Sequence, residues 1–543
     1  MVFARRSTTL LAAIIASCAM VLSLTACTSD NKTVVDGQTT VTSNSAGGVA
    51  VFTPSDGITL NQQTPLNKWA KLVPDLAKAL ADAGFKKGDI NHTTSDSLDK
   101  QSRAIQDFVV DHLSNNTTDD SGIAIAPDNM TLLVAPVVEA DASTRQYGDY
   151  VSQNLSTNDV TDEGATSDGE SSEDDSSKDD SSNTESDSTA SDEQAQAVDR
   201  LVSSLKLAKE SGMHVVLLGN SIEGYKPDAF VKFSDAQTIG KLQAEKMVSK
   251  LKLDKASKDN PKYIEVLLPY TAVDEKGNAN DSTFAQEAFR GIWQVLGSYY
   301  QKGVVESPSG TLDGKSTEND WQAVAYDAAK EGSTAKVLDK RLAKTDGQST
   351  LTRIDGIITM NDYIASEVVK ELDDLGYTGS AADINPQITI SGIVGNITGK
   401  KDLSRDAVPD PIKSPENDNA NDSSSSDDDA DEDTSASDKD RDSQWPLVTG
   451  YGAHVSNIPS IVNGKQWMTG MEDRQTIATD IAQACAKLNK DEALNSMPSI
   501  RNSEVGGVKK IPTISEPLLA VSASNLKSAL IDPGYISLAD AGL

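Results

Sequence analysis

The sequence predicts an α/β protein of two similar doubly wound lobes, each with a parallel sheet and each carrying one acidic insertion. Two observations predict this fold class. Short apolar runs alternate with segments whose apolar residues recur at helical spacing, and the alternation occurs twice along the chain. Much of the net charge of −33 is also concentrated in two runs, 156–194 and 402–442, each of which follows a predicted strand.

The first lobe contains three apolar runs that predict buried strands, and between them lie segments with helical periodicity. Gly84 follows the first of these helices and is expected to close it, because glycine is common where a helix ends. The predicted order is a strand at 47–53, helices at 66–85 and 102–113, a strand at 130–136, a helix at 195–212 and a strand at 213–220.

The second lobe repeats the pattern. Carboxyl ends of parallel strands form the edge where open α/β sheets bind ligands, so both acidic runs are expected at or near that edge. The predicted order is a helix at 235–253, a strand at 262–270, a helix at 284–300, a strand at 354–362, a helix at 363–377 and strands at 386–394 and 445–453.

The two acidic runs are too polar to form a core. The run at 156–194 has 14 acids and one lysine, and the run at 402–442 has 15 acids and 4 bases. Such composition predicts disordered insertions, acting either as solvated spacers or as cation-binding segments. The rest of the chain carries about −9, which is ordinary for a globular protein, and this acidic balance argues against a nucleic-acid partner.

The N-terminus predicts a lipoprotein signal peptide. Arg5 and Arg6 precede an apolar run that ends in Leu-Thr-Ala before Cys27, and a polar segment follows. We expect a signal peptide at 1–26, acylation of Cys27 and a tether at 27–46; the alternative is a plain secretory signal or membrane anchor. No later stretch reaches the length of a membrane-spanning helix. Cys485 would be the only other thiol of the mature chain, so no internal disulfide is expected.

No motif of an enzyme occurs in the sequence. CxxC, HExxH and GxSxG are absent, and the four histidines lack the spacing of metal ligands. We therefore expect a binding protein with no catalytic residues, metal or cofactor.

Several segments resemble the type I solute-binding proteins of sugar ABC importers, in the xylose and multiple-sugar branch. The resemblance lies in the order and spacing of the segments, which together cover about 47–543 apart from the acidic runs. They are "NKWAKLVPDLAKALADAGF", "AFVKFSDAQTIGKLQAEKMV", "WPLVTGYGAHVSNIPSIVNGKQWMTGMEDRQTIATDIAQACAKL" and "KKIPTISEPLLAVSASNLKSALIDPGYISLADAGL".

The resemblance implies a periplasmic-binding-protein-like fold of type I, with two lobes joined by three hinge crossovers. The boundaries it implies are an N-terminal lobe at 47–233, a C-terminal lobe at 234–472, a crossover helix returning to the N-terminal lobe at 473–508, and a segment at 509–543 that completes the hinge and the C-terminal lobe.

Three departures from the family pattern change the expected site. Asn220-Ser221 stands where the family has Asp-Arg, Tyr451-Gly452 where it has Gln-Asp, and Glu472 where it has Lys. With fewer cations in the cleft, the resemblance implies a neutral polyhydroxylated ligand.

The resemblance also supplies the candidate ligand-binding residues. Four of these residues have a stated structural alternative: Trp69 as a core residue, Lys68 as a surface charge, Asp235 in hinge hydrogen bonding, and Asp362 as a helix cap. The expected ligand-binding residues are Trp69, Lys68, Asn220, Asp235, Asn280, Asp281, Tyr326, Asn361, Asp362 and Tyr451.

Together these features predict a lipid-anchored receptor on the extracytoplasmic face of the cell membrane. It would capture a small sugar-like ligand and deliver it to the transmembrane subunits of an ABC permease. Two alternatives remain: a sensory lipoprotein that reports to a membrane receptor or kinase, and a degenerate envelope protein without a transport role.

Overall fold

The computed structural model describes residues 46–55, 65–115, 125–138, 144–150, 153–156, 185–273, 280–343, 350–382 and 444–543. All of them belong to one compact unit, Ser45–Leu543. Cys27, most of the first acidic run, all of the second and the strand expected at 386–394 lie outside the described residues.

Most strands are short and belong to one of two sheets. In chain order they are Gly48–Pro54 (β1), Ile90–Ser95 (β2), Met130–Val134 (β3), Asn154–Leu155 (β4), His214–Leu218 (β5), Ser221–Ile222 (β6), Ala229–Lys232 (β7), Lys262–Val266 (β8), Leu268–Pro269 (β9), Val305–Glu306 (β10), Ala325–Tyr326 (β11), Gly356–Ile358 (β12), Leu447–Tyr451 (β13), Met468–Met471 (β14), Ile500–Val505 (β15), Val508–Ser515 (β16) and Leu519–Ser522 (β17).

The α-helices alternate with these strands. They are Trp69–Asp82 (α1), Leu98–Asn115 (α2), Glu185–Glu210 (α3), Ala236–Leu251 (α4), Thr283–Gln301 (α5), Trp321–Val324 (α6), Ser333–Arg341 (α7), Asp362–Leu375 (α8), Ile458–Val462 (α9) and Arg474–Leu488 (α10).

The first sheet forms the centre of what we call the N-lobe. Its strand order is β15-β16-β7-β5-β3-β1-β2, and all neighbours are parallel except the β15–β16 pair. Successive residues of β1 face opposite sides: Val49 and Val51 pack with α1 and α10, whereas Ala50 and Phe52 pack with α2 and α3. Helices therefore cover both faces, as expected for a doubly wound sheet.

The second sheet forms the centre of the C-lobe. Its order is β10-β8-β12-β13-β14-β17, and only β17 is antiparallel. Its strands and helices α4, α5 and α8 contribute to one continuous apolar core, in which Ile264, Phe289 and Ile357 are fully buried.

The chain passes between the lobes three times. The crossings follow β7, β14 and β16, at residues 233–235, 472–473 and 516–518. The predicted fold class, two doubly wound lobes joined by three crossings, is confirmed by this architecture. Strand β16 still pairs with β7 in the N-lobe sheet, so the last crossing begins after Ser515.

Two further differences from the predicted elements have physical reasons. Helix α3 begins at Glu185, so the last ten residues of the first acidic run are helical rather than disordered. Helix propagation adds one hydrogen bond per residue and carries a helix past the end of its apolar stripe. Strand β2 was not predicted, because this edge strand is mostly exposed and has no apolar alternation.

Candidate functional site

The candidate site lies where the carboxyl ends of the two sheets face each other. Asn361 follows β12, Tyr451 ends β13, and the crossing at 233–235 follows β7. Lys68 and Trp69 approach from the start of α1. Residues 146–150, in the connection after β3, lie between these groups; we call Gln146–Tyr150 the strap.

The C-lobe half of the strap consists of Gln146 and Tyr147. The Tyr147 ring is buried in the C-lobe core, with its centroid 4.8 Å from that of Phe284 and 6.3 Å from that of Tyr451. Asn361 Nδ2 donates a hydrogen bond of 3.1 Å to Gln146 Oε1. These two side chains therefore occupy the volume beside the predicted ligand groups Asn361 and Tyr451.

His454 completes this wall of the site. Its Nε2 lies 3.2 Å from the carbonyl oxygen of Gln146, which can only accept, so Nε2 is the donor. The ring is almost fully buried, and burial lowers the pKa of His454. Of the two neutral tautomers, the one protonated on Nε2 fits this contact.

The N-lobe half of the strap is held by hydrogen bonds to the start of α1. Asp149 accepts from Lys68 Nζ at 2.9 Å and from the Trp69 backbone N at 3.1 Å, and its own N–H donates to Asn67 at 2.8 Å. Tyr150 donates its hydroxyl proton to the Lys68 carbonyl oxygen at 2.5 Å. Asp149 thus places a negative charge at the helix N-terminus, where the helix dipole favours it.

Trp69 is covered by aromatic side chains. Its ring is 5.1 Å from that of Tyr150 and 5.7 Å from that of Phe233, both edge to face. Tyr150 in turn stacks on Phe233 at 4.8 Å. With only 3% of its surface exposed, Trp69 occupies a core position, and contact between its face and a sugar stays a prediction.

Gly148 lets the strap pass close to the backbone at Asn67. Its φ is +97°, which L-residues with a side chain rarely adopt, and a Cβ here would lie 2.6 Å from the Asn67 carbonyl oxygen. A glycine is therefore required at this position for the strap to lie where it does.

Asp362 lies behind the site wall rather than in it. Its carboxylate is fully buried and accepts from the His454 N–H at 2.9 Å, Thr469 Oγ1 at 2.9 Å and Gln466 Nε2 at 2.7 Å. Burial raises the pKa of Asp362, and these donors oppose the shift. Solute contact by Asp362 stays a prediction. The cap of helix α8 is Asn361, whose Oδ1 accepts from Ile364 N at 2.9 Å.

Two of the remaining predicted residues have structural partners. Asn220 is buried, with Oδ1 accepting from Gln153 N and Nδ2 donating to the Pro136 carbonyl, both at 2.9 Å. Asp235 lies at the end of the first crossing and caps α4 by accepting from Thr238 N at 2.7 Å. Both side chains therefore already have partners within the protein.

The other three predicted residues form hydrogen bonds within the C-lobe. Asn280 donates to the Thr271 carbonyl at 2.8 Å, and Asp281 accepts from Thr283 N at 2.9 Å near the start of α5. The buried Tyr326 hydroxyl lies 3.0 Å from Thr334 Oγ1. These contacts stabilise loops and helix ends.

A buried carboxyl group joins two of the crossings. Glu472 Oε1 accepts from Ser234 N at 2.6 Å and from the Tyr451 hydroxyl at 3.3 Å, and Ser234 and Tyr451 also contact each other through their hydroxyls. Burial is the main cause that raises the pKa of Glu472 to about 7. Glu472 is therefore part of the hinge.

The strap was not found from the sequence. A weak signal existed: "YGDY" at 147–150 places two aromatic residues and a glycine in a connection that is otherwise polar. Asn67 and His454 gave no comparable signal, because their partners are distant in the sequence.

Among the described residues, no group of His, Cys, Asp and Glu side chains is arranged to hold a metal ion. In the same part of the chain, no helix combines the length and apolar character needed to cross a membrane.

Comparisons with known proteins give structural similarities at low identity. No family model and no curated protein matches the chain. An ABC transporter solute-binding protein from Clostridium phytofermentans with bound β-D-glucose is 17% identical, with a TM-score of 0.44 over 91% of this chain and 99% of its own. A carbohydrate transporter solute-binding protein from Chloroflexus aurantiacus in complex with D-glucose is 18% identical, with a TM-score of 0.43 over 92% and 98%.

A third solved structure, a sugar ABC transporter from Actinomyces odontolyticus, is 10% identical, with a TM-score of 0.43 over 89% of this chain and 97% of its own. Scores at this level are too low to assign a function to the chain.

Proposed function

We propose that this protein is a lipid-anchored extracytoplasmic solute-binding protein that captures a small neutral polyhydroxylated ligand, such as a monosaccharide, for an ABC importer. The observation that carries the proposal is the convergence of groups from both lobes at the facing strand ends. Lys68 and Trp69 come from the N-lobe side, Asn361 and Tyr451 from the C-lobe side, and all four contact the strap or its neighbours. Two lobes with three crossings can close around a ligand at this position.

The charges near the site support a neutral ligand. Lys68 is paired with Asp149 at 2.9 Å, so its charge is balanced within the protein. Asp362 is enclosed behind the wall and its carboxylate accepts from three donors. A carboxylate or phosphate buried here would add an uncompensated charge, which costs several kcal/mol, on the order of the desolvation of an unpaired ion.

A thermal-shift screen of the mature protein tests this proposal. Aldoses, polyols and nucleosides form the neutral set, and the matching uronic acids and sugar phosphates form the anionic set. We expect at least one neutral compound to raise the melting temperature in a concentration-dependent manner, since a ligand that binds only the folded state stabilises it. An anion as the best ligand would contradict the proposed site.

The position of Gln146 and Tyr147 favours one alternative function. Because these side chains already occupy the volume beside Asn361 and Tyr451, the protein could serve as an envelope interaction module that binds no solute. Failure of every compound to stabilise either the wild type or a protein with the strap weakened would support this alternative over solute capture.

A further inference from the structure

We propose that Gln146 and Tyr147 are an internal occupant of the solute site, and that a neutral pyranose-like solute takes their place while Asp149 and Tyr150 stay bound to the N-lobe. This inference rests on the proposed function and deepens it. It assigns the site wall to Asn361, His454, Phe284 and Tyr451, and it makes the strap a determinant of affinity.

The first observation is that the two halves of the strap are held by different lobes. Asp149 and Tyr150 form hydrogen bonds with residues 67–69 at the start of α1. Gln146 and Tyr147 contact Asn361, His454, Phe284 and Tyr451 of the C-lobe. When the lobes separate, only one half can keep its partners.

The second observation is the position of Gly148 between the halves. Its left-handed backbone brings the strap against Asn67, and glycine can change this conformation at little steric cost. Gly148 therefore marks the point about which the C-lobe half can turn while the N-lobe half remains in place.

The third observation is the chemistry of the contacts. Asn361 Nδ2 and His454 Nε2 both donate, so an occupant must offer two acceptor oxygens there, as Gln146 does with its side-chain and backbone carbonyls. The Tyr147 ring lies against Phe284 and Tyr451 and has about the diameter of a pyranose. Hydroxyl oxygens and a C–H face would satisfy the same donors and the same aromatic rings.

The fourth observation concerns charge. If only Gln146 and Tyr147 move, the Lys68–Asp149 ion pair stays intact and no cation becomes available to an anionic solute. Burial lowers the pKa of His454 on the opposite wall, which disfavours the cationic form of its ring. The vacated volume would then suit a neutral occupant.

Competition has a measurable consequence. A solute that binds only when Gln146 and Tyr147 are displaced has its apparent affinity reduced by the fraction of molecules in which they are displaced. Weakening the C-lobe half of the strap should therefore tighten solute binding, whereas loss of a wall residue should weaken it.

Calorimetric titration of D-glucose and D-xylose into the mature protein and its variants provides the test. Tyr147→Ala removes the ring from the site and should tighten binding at least about tenfold; Gln146→Ala should tighten it about threefold. Tyr225→Ala is the matched control for the ring, because Tyr225 is buried in the N-lobe core on the α2–α3 side of the sheet. Asn154→Ala is the polar control, since its side chain bonds Ser221.

Hydrogen exchange adds a readout that a purely structural role would not affect. Sugar should accelerate amide exchange at residues 146–147 of the wild type, because it expels them, and should slow exchange at 451–454. Slower exchange at both segments would mean that the strap closes over the solute as a lid, and this would overturn the proposal.

The remaining outcomes separate this inference from the proposed function. If the wild type, Tyr147→Ala and Gln146→Ala bind a sugar equally, or if the two strap variants bind it more weakly, the strap is not a competitor and solute binding stands. If no protein binds either sugar, the pyranose-like occupant proposed here is wrong, and the wider thermal-shift screen decides the proposed function. If Tyr147→Ala does not fold, Gln146→Ala with its Asn154→Ala control decides the question.

Discussion

The side-chain amide of Asn361 links helix α8 to Gln146. Its Oδ1 accepts from Ile364 N and caps the helix, while its Nδ2 donates to Gln146 Oε1 at 3.1 Å. Capping orients the amide, and this orientation points the donor toward the strap. The residue predicted to bind a ligand is thus fixed before any ligand arrives. Preorganisation of this kind lowers the entropy lost on binding.

Asp362→Ala should unfold the C-lobe more readily rather than only weaken ligand binding. The substitution leaves three buried donors without their acceptor: the His454 N–H, Thr469 Oγ1 and Gln466 Nε2. Each unsatisfied donor costs about 1–3 kcal/mol, so we expect a loss of about 3 kcal/mol or more in the free energy of unfolding measured by urea denaturation.

Asp373→Ala is the matched control for this prediction. Asp373 lies on the same helix and pairs with Lys465 at the surface at 2.9 Å, so its loss should change stability by less than about 1 kcal/mol. Equal effects of the two substitutions would show that the Asp362 network is not a structural element of the lobe.

Buried parallel strands were predictable because both faces are covered. β1 and β3 are continuous apolar runs, as expected for strands between two layers of helices. The direction in which a polar residue points at a strand end was not predictable. Asn361 and Asp362 are neighbours, yet their side chains point in different directions. The carboxylate of Asp362 accepts hydrogen bonds from Gln466 and Thr469 in the core, whereas the amide of Asn361 reaches the strap.

The strap could not be predicted for a similar reason. Tyr147 meets Tyr451 across more than half of the chain, and no periodicity links the two positions. The requirement for Gly148 likewise depends on Asn67, which the fold brings close.

The acidic segments should be dispensable for folding. Since α3 begins at Glu185, the deletion must leave the helix intact, so residues 157–184 and 404–442 would be replaced by short Gly/Ser links. Shortening a long connection changes closure entropy by only about 0.6 kcal/mol per halving, and in the stabilising direction. A single cooperative urea transition at or above the wild-type midpoint is expected; loss of cooperativity would mean that the segments contribute to the fold.

Cys27→Ala should abolish lipid attachment. The order of charged residues, apolar run and small residues before Cys27 resembles a lipoprotein signal, which predicts acylation of this cysteine. Palmitate labelling in the producing bacterium should be present in the wild type and absent in the variant. Cys485→Ala is the control, because that thiol is fully buried and should not affect labelling. Normal labelling of Cys27→Ala would assign the acylation to another residue.

Glu472→Gln should remove part of the pH dependence of stability. Burial raises the pKa of Glu472 from 4.5 to about 7 in the folded protein, so the folded state binds more protons than the unfolded state between these two values. Stability contributed by this group therefore falls as the pH rises from about 4.5 to about 7, and it stays low above that range. A neutral glutamine retains an oxygen that can accept from Ser234 N and from the Tyr451 hydroxyl.

Urea unfolding across this pH range measures the difference between the two proteins. At about pH 4 they should be similar, and at about pH 8 the Glu472→Gln variant should be more stable by up to about 3 kcal/mol, the value of the pKa shift at about 1.4 kcal/mol per unit. Asp362 and His454 are present in both proteins, so their titration cancels in the comparison. Glu504→Gln, at an exposed position of β15, should show no such difference. Parallel pH profiles for the wild type and Glu472→Gln would mean that the Glu472 carboxyl group is ionised in the folded state across this pH range. Its contacts with Ser234 and Tyr451 would then hold a charged group between the first two crossings.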